Sequence, residues 1–281
     1  MRYIASNPNV TGTGRNIRNH AYRSQARSDS EERYTMAKKA IVMAGGHGTR
    51  LGLLTKHGIT KIMLPVYDRP MIVYPIETLV RGGITDIRVA LNGRNPQLVM
   101  DFLQDGAHLG CRISYTYHAE VFAGPVRHFM SSEDWVGNDD VVVMLGDSYF
   151  RFLLDFAKVK APHIWTMPLE NMDDPRKYGQ VKVSGDRVSK LVEKPKKVFS
   201  GIVATGCWVF PSDVFARARK LLGKEGELQF ADLSMEYVRA GAMTHTPMPA
   251  GSYLDLGTPT ALFTASQVVA HERQLEMLVK R

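Results

Sequence analysis

A glycine-rich segment at residues 45–51 holds the first residue types along the chain that suggest chemistry. It has the sequence GGHGTRL and directly follows an apolar run at residues 40–44. Glycines let the backbone turn tightly and approach a ligand, and the free N–H groups of such a turn can bind an anion. Arg50 adds a rigid fork of donors that suits phosphate oxygens. The segment lacks the Gly-Lys-Ser/Thr of a Walker A loop and the third glycine of a dinucleotide fingerprint, so it predicts either an anion site or a plain tight turn.

Two aspartates have the surroundings expected of metal ligands. Asp147 ends the sequence VMLGD and Asp255 lies in LDLGT, so each is close to a glycine after a short apolar run. Magnesium takes hard oxygen ligands, usually one or two carboxylates together with phosphates and waters. An aspartate near a glycine is also a common turn residue, and lysines such as Lys61 and Lys194 are usually solvated surface charges. The residue types alone therefore leave a metal site and ordinary surface residues as open alternatives.

Several ordered motifs resemble those of one enzyme family. The glycine-rich segment is followed by KIMLPVYDRPMIVYPI at residues 61–76, and these two blocks resemble the signature region of sugar-1-phosphate nucleotidylyltransferases. The glucose-1-phosphate thymidylyltransferases are the nearest of these. The resemblance continues through VMLGD, DDPRKYG at residues 173–179, VEKP at 192–195, Thr205-Gly206 and LDLGT. The resemblance covers about residues 38–266. The chain resembles the shorter members of the family, which lack a C-terminal helical extension.

The resemblance implies an enzyme that condenses a nucleoside triphosphate with a sugar 1-phosphate, giving an NDP-sugar and pyrophosphate with the help of Mg²⁺. The implied catalytic residues are Arg50, Lys61, Asp147 and Lys194. Arg50 would hold the β- and γ-phosphates, Lys61 would lie near the α-phosphate, and Lys194 would hold the sugar phosphate. Asp147 and Asp255 would bind the metal. These residue types suit phosphoryl-type transfer, which needs alignment and cancellation of charge more than covalent help.

The resemblance also implies two sets of binding residues. The nucleotide would contact Ala44, Gly45, Gly46, Gly48, Thr49, Arg50, His118 and Gly124. The sugar phosphate would contact Tyr178, Gly179, Glu193, Lys194 and Thr205.

The base-reading region departs most from the family pattern. His118 stands where the thymidylyltransferases have Gln, residues 122–127 read FAGPVR in place of the usual Gly-Leu-Ala-Gln, and Ser148 replaces a common Asn. The resemblance implies dTTP as the favoured nucleotide, whereas these departures leave UTP and CTP as alternatives and His118 as either a base partner or a structural residue. A phosphonate or non-sugar phosphate as acceptor and a catalytically inactive nucleotide-binding homologue are alternative hypotheses, although every implied catalytic and metal-binding residue is present.

The elements that must position these residues form an α/β pattern. Apolar runs at residues 40–44, 86–91, 111–117 and 140–145 predict strands, and the segments 70–82 and 96–104 between them predict helices. We expect a Rossmann-like mixed, mainly parallel sheet flanked by helices, which the resemblance identifies as the nucleotide-diphospho-sugar transferase fold. Later strands are predicted at residues 163–167, 179–183, 188–192 and 205–210, with helices at 214–222, 228–240 and 260–279. The predicted domain, residues 38–281, divides into a nucleotide-binding half (38–150) and a sugar-phosphate-binding half (151–281).

Composition narrows the function classes. The chain has 281 residues, 44% of them hydrophobic and 23% charged, which is ordinary globular composition. No apolar run approaches the ~18 residues of a membrane span, so no membrane partner is expected. No basic stripe is interleaved with aromatic residues, so no nucleic-acid partner is expected. The sequence leaves open whether the protein forms a homo-oligomer.

The first 37 residues differ from the rest in composition. They contain six Arg against three acidic residues, a net +3 of the chain's +8. Because they are rich in polar residues, we predict a disordered or loosely attached basic arm, which could bind a partner. Met36 could alternatively be the natural start. The absence of an apolar leader, and two distant cysteines at 111 and 207 that form no metal-type pair, predict a cytoplasmic protein.

Overall fold

The helices and strands alternate along most of the chain. The computed structural model describes residues 37–46, 48–56, 58–93, 95–118, 124–169, 174–223 and 226–279. Its strands are β1 (Lys39–Ala44), β2 (Pro65–Val66), β3 (Arg69–Pro70), β4 (Asp86–Asn92), β5 (Arg112–His118), β6 (Val141–Leu145), β7 (Ser148–Phe150), β8 (His163–Pro168), β9 (Gln180–Ser184), β10 (Arg187–Val192), β11 (Ile202–Phe210), β12 (Thr244–Pro247) and β13 (Tyr253–Asp255). Its helices are α1 (Val73–Arg81), α2 (Pro96–Leu103), α3 (Pro125–Met130), α4 (Glu133–Val136), α5 (Val214–Leu221), α6 (Phe230–Arg239) and α7 (Pro259–Val279).

Nine of the strands form one mixed sheet. Their order is β5-β4-β1-β6-β11-β8-β12-β10-β9. The strands β5, β4, β1 and β6 are mutually parallel, whereas β11 is antiparallel to both β6 and β8. Because parallel strands end at the same edge, the residues after β1, β4 and β6 meet there, which is where open α/β sheets bind ligands. The predicted mixed α/β sheet is confirmed, and its parallel pairings are concentrated in the first half of the chain.

Strand β1 shows why the first strands are apolar throughout. Ala40, Val42 and Ala44 pack in one hydrophobic cluster, while Ile41 and Met43 pack in another. Side chains of a strand alternate between the two faces of a sheet, so a strand covered by helices on both faces needs apolar residues at every position. The central strands are therefore rigidly held on both sides, and the loops that follow them are positioned accurately.

A third cluster fastens the last helix to the strand pair β7–β13, which contains Asp255 and directly follows Asp147. It includes Leu51, Tyr74, Tyr149, Leu256 and Val269. Tyr149 lies in β7 and Leu256 directly follows β13, and these two strands pair antiparallel outside the main sheet. The helix α7 thus packs directly behind the segment that contains Asp147 and Asp255.

Several predicted boundaries change in the structure. The helix expected from residue 70 begins at Val73, because Arg69–Pro70 pairs as a short strand with Pro65–Val66. Ala37, which we assigned to the basic arm, is buried in the core, so that boundary is one residue late. The rest of the predicted arm lies outside the described residues. The strands β7, β12 and β13 were not predicted, because each has four residues or fewer.

The described residues also bear on the predictions about membrane spans and about the two cysteines. No helix among them is long and apolar enough to cross a membrane. Cys111 and Cys207 are both free thiols, and only Cys207 is fully buried. Burial raises the pKa of the Cys207 thiol well above its usual range, so this cysteine is an inert core residue.

Candidate active site

One cavity of about 520 Å³ collects most of the predicted site residues. It opens where β1, β4 and β6 end, and it is lined there by Gly45, Asn92 and Leu145. Strand β11 crosses beneath it with Thr205 and Trp208. The cavity is therefore at the edge of the sheet where the parallel topology predicts a ligand site.

The glycine-rich segment forms one wall of this cavity. Gly45, Gly46, Thr49 and Arg50 line it, as predicted for a nucleotide site. Gly46 has φ 104°, in the left-handed region that favours glycine, and its N–H donates to Asn92 Oδ1 at 2.9 Å. His47 lies outside the described residues.

Two other predicted nucleotide residues do not line the cavity. Ala44 is the last residue of β1 and is buried in the core. Gly48 instead closes the turn that begins the 3-10 helix Thr49–Thr55, and its carbonyl accepts hydrogen bonds from Leu51 N and Thr55 Oγ1 at 2.8 and 3.0 Å. Both residues therefore support the glycine-rich loop without lining the cavity.

Two ion pairs lie on the floor of the cavity. Lys61 Nζ is 2.6 Å from Asp147 Oδ2, and both side chains are at least 85% buried. Arg50 Nη1 is 3.3 Å from Asp255 Oδ2, with the guanidinium still 43% exposed. The pairing of β7 with β13 brings the two aspartates together, because Asp255 is opposite Ser148 and Leu256 N–H donates to the carbonyl of Asp147 at 2.9 Å.

The two carboxyl groups differ in their electrostatic surroundings. Burial alone would raise the pKa of Asp147, but the positive charges of Lys61 and Arg50 hold it below the ordinary aspartate value. Burial and the neighbouring charge of Asp147 raise the pKa of Asp255, against the opposing effect of Arg50. Two close carboxylates repel each other unless cations lie beside them, and Lys61 and Arg50 are the cations beside this pair.

The donor set fits a magnesium ion better than a softer metal. No group of three or more His, Cys, Asp or Glu side chains that could hold a metal occurs among the described residues. Asp147 and Asp255 instead offer hard oxygen atoms at the edge of an open cavity. Magnesium characteristically takes one or two protein carboxylates and completes its shell with phosphate and water oxygens. The two aspartates therefore fit the predicted metal role.

Another part of the cavity wall contains the residues predicted for the sugar phosphate. Tyr178, Gly179, Glu193, Lys194 and Thr205 all line it. A Cβ on Gly179 would lie 3.0 Å from Glu193 Oε2, so a side chain at this position would crowd that carboxylate. The carboxylate of Glu193 is 3.1 Å from Lys194 Nζ, and Lys194 N–H donates to the carbonyl of Tyr178 at 3.2 Å.

Two details of this part of the wall were not visible in the motifs. Lys194 has φ 43°, an uncommon conformation for a residue with a side chain, and such residues cluster at functional sites. The hydroxyl of Thr205 donates to the carbonyl of Trp165 at 3.0 Å, so it is engaged within the protein. Lys177 also lines the cavity and adds a second cation to this part of the wall.

The predicted base-reading region is only partly described. Gly124 lines the cavity with φ 80°, and a Cβ there would lie 2.7 Å from Leu228 N, so a side chain cannot be accommodated. His118, the last residue of β5, does not line the cavity. Its ring instead packs against His128, with centroids 4.7 Å apart, and His128 reaches the cavity wall. The predicted residues 119–123 and 173 lie outside the described residues.

Sequence reasoning missed several residues of the cavity wall. They are Asn92, His128, Lys177, Trp208, Glu227, Gln229 and Tyr253. Asn92 ends strand β4 at the same sheet edge as the glycine segment, so the topology rule could have identified it. His128 lies on a short helix that no sequence pattern indicated.

Comparison with known proteins defines the class to which this fold and site belong. Residues 39–272 match the nucleotidyl transferase family, and the chain is a member of that family. It is similar to the glucose-1-phosphate thymidylyltransferase of Neisseria meningitidis, with 32% identity over 247 residues and 85% of each chain covered. It is also similar to that of Mycolicibacterium smegmatis, with 33% identity over 240 residues and 82% of each chain covered. The family resemblance found in the motifs, and with it an enzyme class, is confirmed.

Solved structures give the same fold. A Bacillus anthracis chain described as a glucose-1-phosphate thymidylyltransferase, in complex with a sucrose, has a TM-score of 0.74 and 30% identity, covering 82% of this chain and 94% of that one. The inositol-1-phosphate CTP transferase of T. maritima has a TM-score of 0.71 at 18% identity, covering 83% and 96%. The predicted nucleotide-diphospho-sugar transferase fold is confirmed.

Proposed function

We propose that this protein transfers a nucleotidyl group from a nucleoside triphosphate to a sugar 1-phosphate, with release of pyrophosphate. The observation that carries the proposal is the arrangement of one cavity. The glycine segment and Arg50, Glu193 and Lys194, and the Lys61–Asp147 ion pair all line this one cavity. Both reactants can therefore approach the same buried cation.

The chain's own residues supply alignment and charge. An oxygen of the sugar phosphate attacks the α-phosphorus, and the bond from that phosphorus to the oxygen bridging to the β-phosphate breaks. Lys61 neutralises charge that builds on the α-phosphate, while Arg50 and the glycine-segment N–H groups other than that of Gly46 hold the departing pyrophosphate. Lys194 holds the attacking phosphate, and Glu193 accepts hydrogen bonds from sugar hydroxyls. Alignment of two bound anions against their mutual repulsion is the main contribution of the protein.

Asp147 and Asp255 would hold a magnesium ion in this scheme. Magnesium, when bound, cancels charge on the triphosphate and on the reacting oxygens. The raised pKa of Asp255 and the lowered pKa of Asp147 both reflect a site built around closely spaced charges. Addition of a cation would relieve the repulsion between the two carboxylates, which supports the metal dependence.

We infer dTTP as the favoured nucleotide, with UTP or CTP as alternatives, and glucose 1-phosphate or a related sugar phosphate as the acceptor. The names of the relatives at 32% and 33% identity support the thymidylyl group and the glucose phosphate. The presence of His118 and His128 beside the base end is the reason to test other pyrimidine nucleotides as well.

A matrix assay tests this proposal. The full chain is incubated with Mg²⁺, five nucleoside triphosphates and several sugar 1-phosphates, and pyrophosphate release is measured. We expect release only when both substrates are present, fastest with a pyrimidine nucleotide, and abolished by a chelator. Folded protein that releases no pyrophosphate with any pair would overturn the proposed activity and favour a nucleotide-binding homologue without turnover.

A pair of lysine variants tests the placement of the acceptor. Lys194→Met should raise KM for the sugar phosphate about 30-fold, since a charged hydrogen bond contributes roughly 2 kcal/mol. Lys197→Met is the matched control, because Lys197 is exposed and does not line the cavity. Equal KM values in the two variants would show that the acceptor phosphate binds elsewhere.

A further inference from the structure

An asparagine and a histidine link the glycine-rich wall to the base end of the cavity. Asn92 ends strand β4, and its Oδ1 accepts the hydrogen bond from Gly46 N–H at 2.9 Å. On its other side, Asn92 Nδ2 is 2.9 Å from His128 Nδ1. His128 is 4% exposed and packs against His118. One side chain therefore contacts both the phosphate-binding backbone and the ring at the base end.

The two hydrogen bonds fix each other's direction. Because Gly46 N–H is a donor, the group of Asn92 that faces it must be the carbonyl oxygen. The amide N–H of Asn92 is then directed at His128, and Nδ1 of that ring is the nearer acceptor. Turning the Asn92 amide over would break the hydrogen bond from Gly46 N–H and would require the other tautomer of His128. The arrangement is consequently a coupled pair.

The glycine segment is shaped around this asparagine. A Cβ on Gly45 would lie between 2.5 and 2.7 Å from three atoms of the Asn92 amide group. Gly46 has φ 104°, and its N–H donates to Asn92 Oδ1 at 2.9 Å, so the asparagine holds the direction of that N–H. The close approach at Gly45 and the hydrogen bond at Gly46 therefore have one common cause.

We propose that Asn92 and His128 are a positioning pair that holds the Gly45–Gly46 backbone in the orientation that binds the pyrophosphate portion of the nucleotide. This inference rests on the proposed function for the identity of the ligand. Neither residue needs to touch the reacting atoms. His128 orients the amide of Asn92, and Asn92 accepts the N–H of Gly46, which fixes the peptide between Gly45 and Gly46 and leaves the other N–H groups of the segment for the anion. The pair should act on triphosphate binding and leave the sugar-phosphate end unaffected.

Pyrophosphate, the product that lacks a base, is the direct probe. Its binding to the full chain with Mg²⁺ is measured by calorimetry, and KM is measured separately for both substrates. Asn92→Leu removes both hydrogen bonds at similar size, and His128→Phe keeps a ring against His118 but removes the acceptor. Gln97→Leu is the control, because Gln97 is exposed on α2 and its side chain bonds only Asp101 among the described residues, at 2.6 Å.

Asn92→Leu should weaken pyrophosphate binding and raise KM for the nucleotide about five- to tenfold, with KM for the sugar phosphate changed less than about twofold. His128→Phe should weaken pyrophosphate binding and raise KM for the nucleotide about threefold. The double variant should be no more than about twofold worse than Asn92→Leu, because the two residues act as a unit. Gln97→Leu should match the wild type.

Three results would overturn the proposal, provided that thermal unfolding shows folded protein. They are unchanged pyrophosphate affinity in Asn92→Leu, an equal rise of both KM values, and additive effects in the double variant. Failure of the proposed function is a different result, since the wild type would then release no pyrophosphate. The calorimetric comparison needs no turnover, so it would still decide the role of the pair.

Discussion

At the residue scale, the buried Lys61–Asp147 ion pair carries the most direct prediction. Asp147→Asn removes the charge that Lys61 now contacts at 2.6 Å and that the proposed metal needs. We expect kcat to fall at least ~100-fold, because electrostatic stabilisation of the reacting oxygens is lost. Pyrophosphate release measures the effect, and circular dichroism checks that the fold is intact. Turnover near the wild-type rate would place the metal elsewhere.

Gly45 provides a second residue-scale prediction. Its backbone does not require glycine, so alanine would be harmful only through its contact with the Asn92 side chain. Gly45→Ala should therefore displace Asn92 and weaken pyrophosphate binding about as much as Asn92→Leu does, five- to tenfold. Gly223→Ala is the matched control, since no residue that the structure describes lies within 4 Å of a Cβ there. Equal pyrophosphate affinities in the two alanine variants would contradict this prediction.

At the element scale, helix α7 supports the strand pair β7–β13, which contains Asp255 and directly follows Asp147. Glu272 on this helix accepts hydrogen bonds from the Tyr149 hydroxyl and from Arg151 Nε, the latter at 2.7 Å. Burial and the hydrogen bond to Glu272 raise the pKa of Tyr149 well above its ordinary value, so the phenol stays a donor at all working pH values. The ring of Tyr149 meets that of Tyr74 edge to face at 5.1 Å. The helix is thus joined to β7 by a hydrogen bond as well as by packing, and Tyr149, which makes this hydrogen bond, is two residues from Asp147.

Glu272→Gln should destabilise the protein. The variant loses a charge that two donors share, which is worth about 1–2 kcal/mol in the free energy of unfolding. Urea unfolding measures the change. Glu236→Gln, which disrupts an exposed pair with Arg239 within α6, should cost less than about 0.5 kcal/mol. If the two variants were equally stable, α7 would be held by its apolar contacts alone.

At the scale of the whole molecule, a buried histidine should make stability depend on pH. His163 begins β8, and burial together with the charge of His245 lowers its pKa to about 4. In the unfolded chain an ordinary histidine titrates near 6.5, so between about pH 6.5 and 4 the unfolded state binds more protons. Stability is therefore complete above pH 6.5 and falls as the pH drops toward 4. Between pH 7 and pH 4.5, the protonation of His163 in the unfolded chain should lower the free energy of unfolding by about 2 kcal/mol.

Urea unfolding at pH 7 and pH 4.5 measures the contribution of His163 to this loss of stability. Carboxylates also contribute to acid destabilisation, so the comparison is between the pH-dependent losses of the wild type and of His163→Gln. We expect the loss to be smaller in the variant by about 2 kcal/mol. His108→Gln, at an exposed histidine, should lose stability as the wild type does. The same loss in all three proteins would mean that His163 is protonated in the folded state.

The motifs alone located most of the candidate site. Gly46, Arg50, Lys61 and Asp147 belong to contiguous segments whose order resembles one family, and each of them lines the cavity. The first strands could be predicted as well, because burial on both faces leaves an unbroken apolar run such as residues 40–44. What is local in the chain, a loop after a strand or a residue within a motif, can be read from neighbouring residues. The roles of these residues, and the division of the domain into two halves, stay predictions.

The tertiary structure decided what depends on distant segments meeting. Asp255 reaches Arg50 only because β13 pairs with β7, two strands too short to leave a periodic pattern. His118 matched a family position but lies behind His128, which no motif indicated. Asn92 gains its place beside the glycine segment from the register of β4 against β1, with Leu91 opposite Ala44. The sequence by itself therefore determined the family and the fold class, whereas the partners of each charge were set by strand pairing, because contacts between remote segments depend on how the whole chain packs.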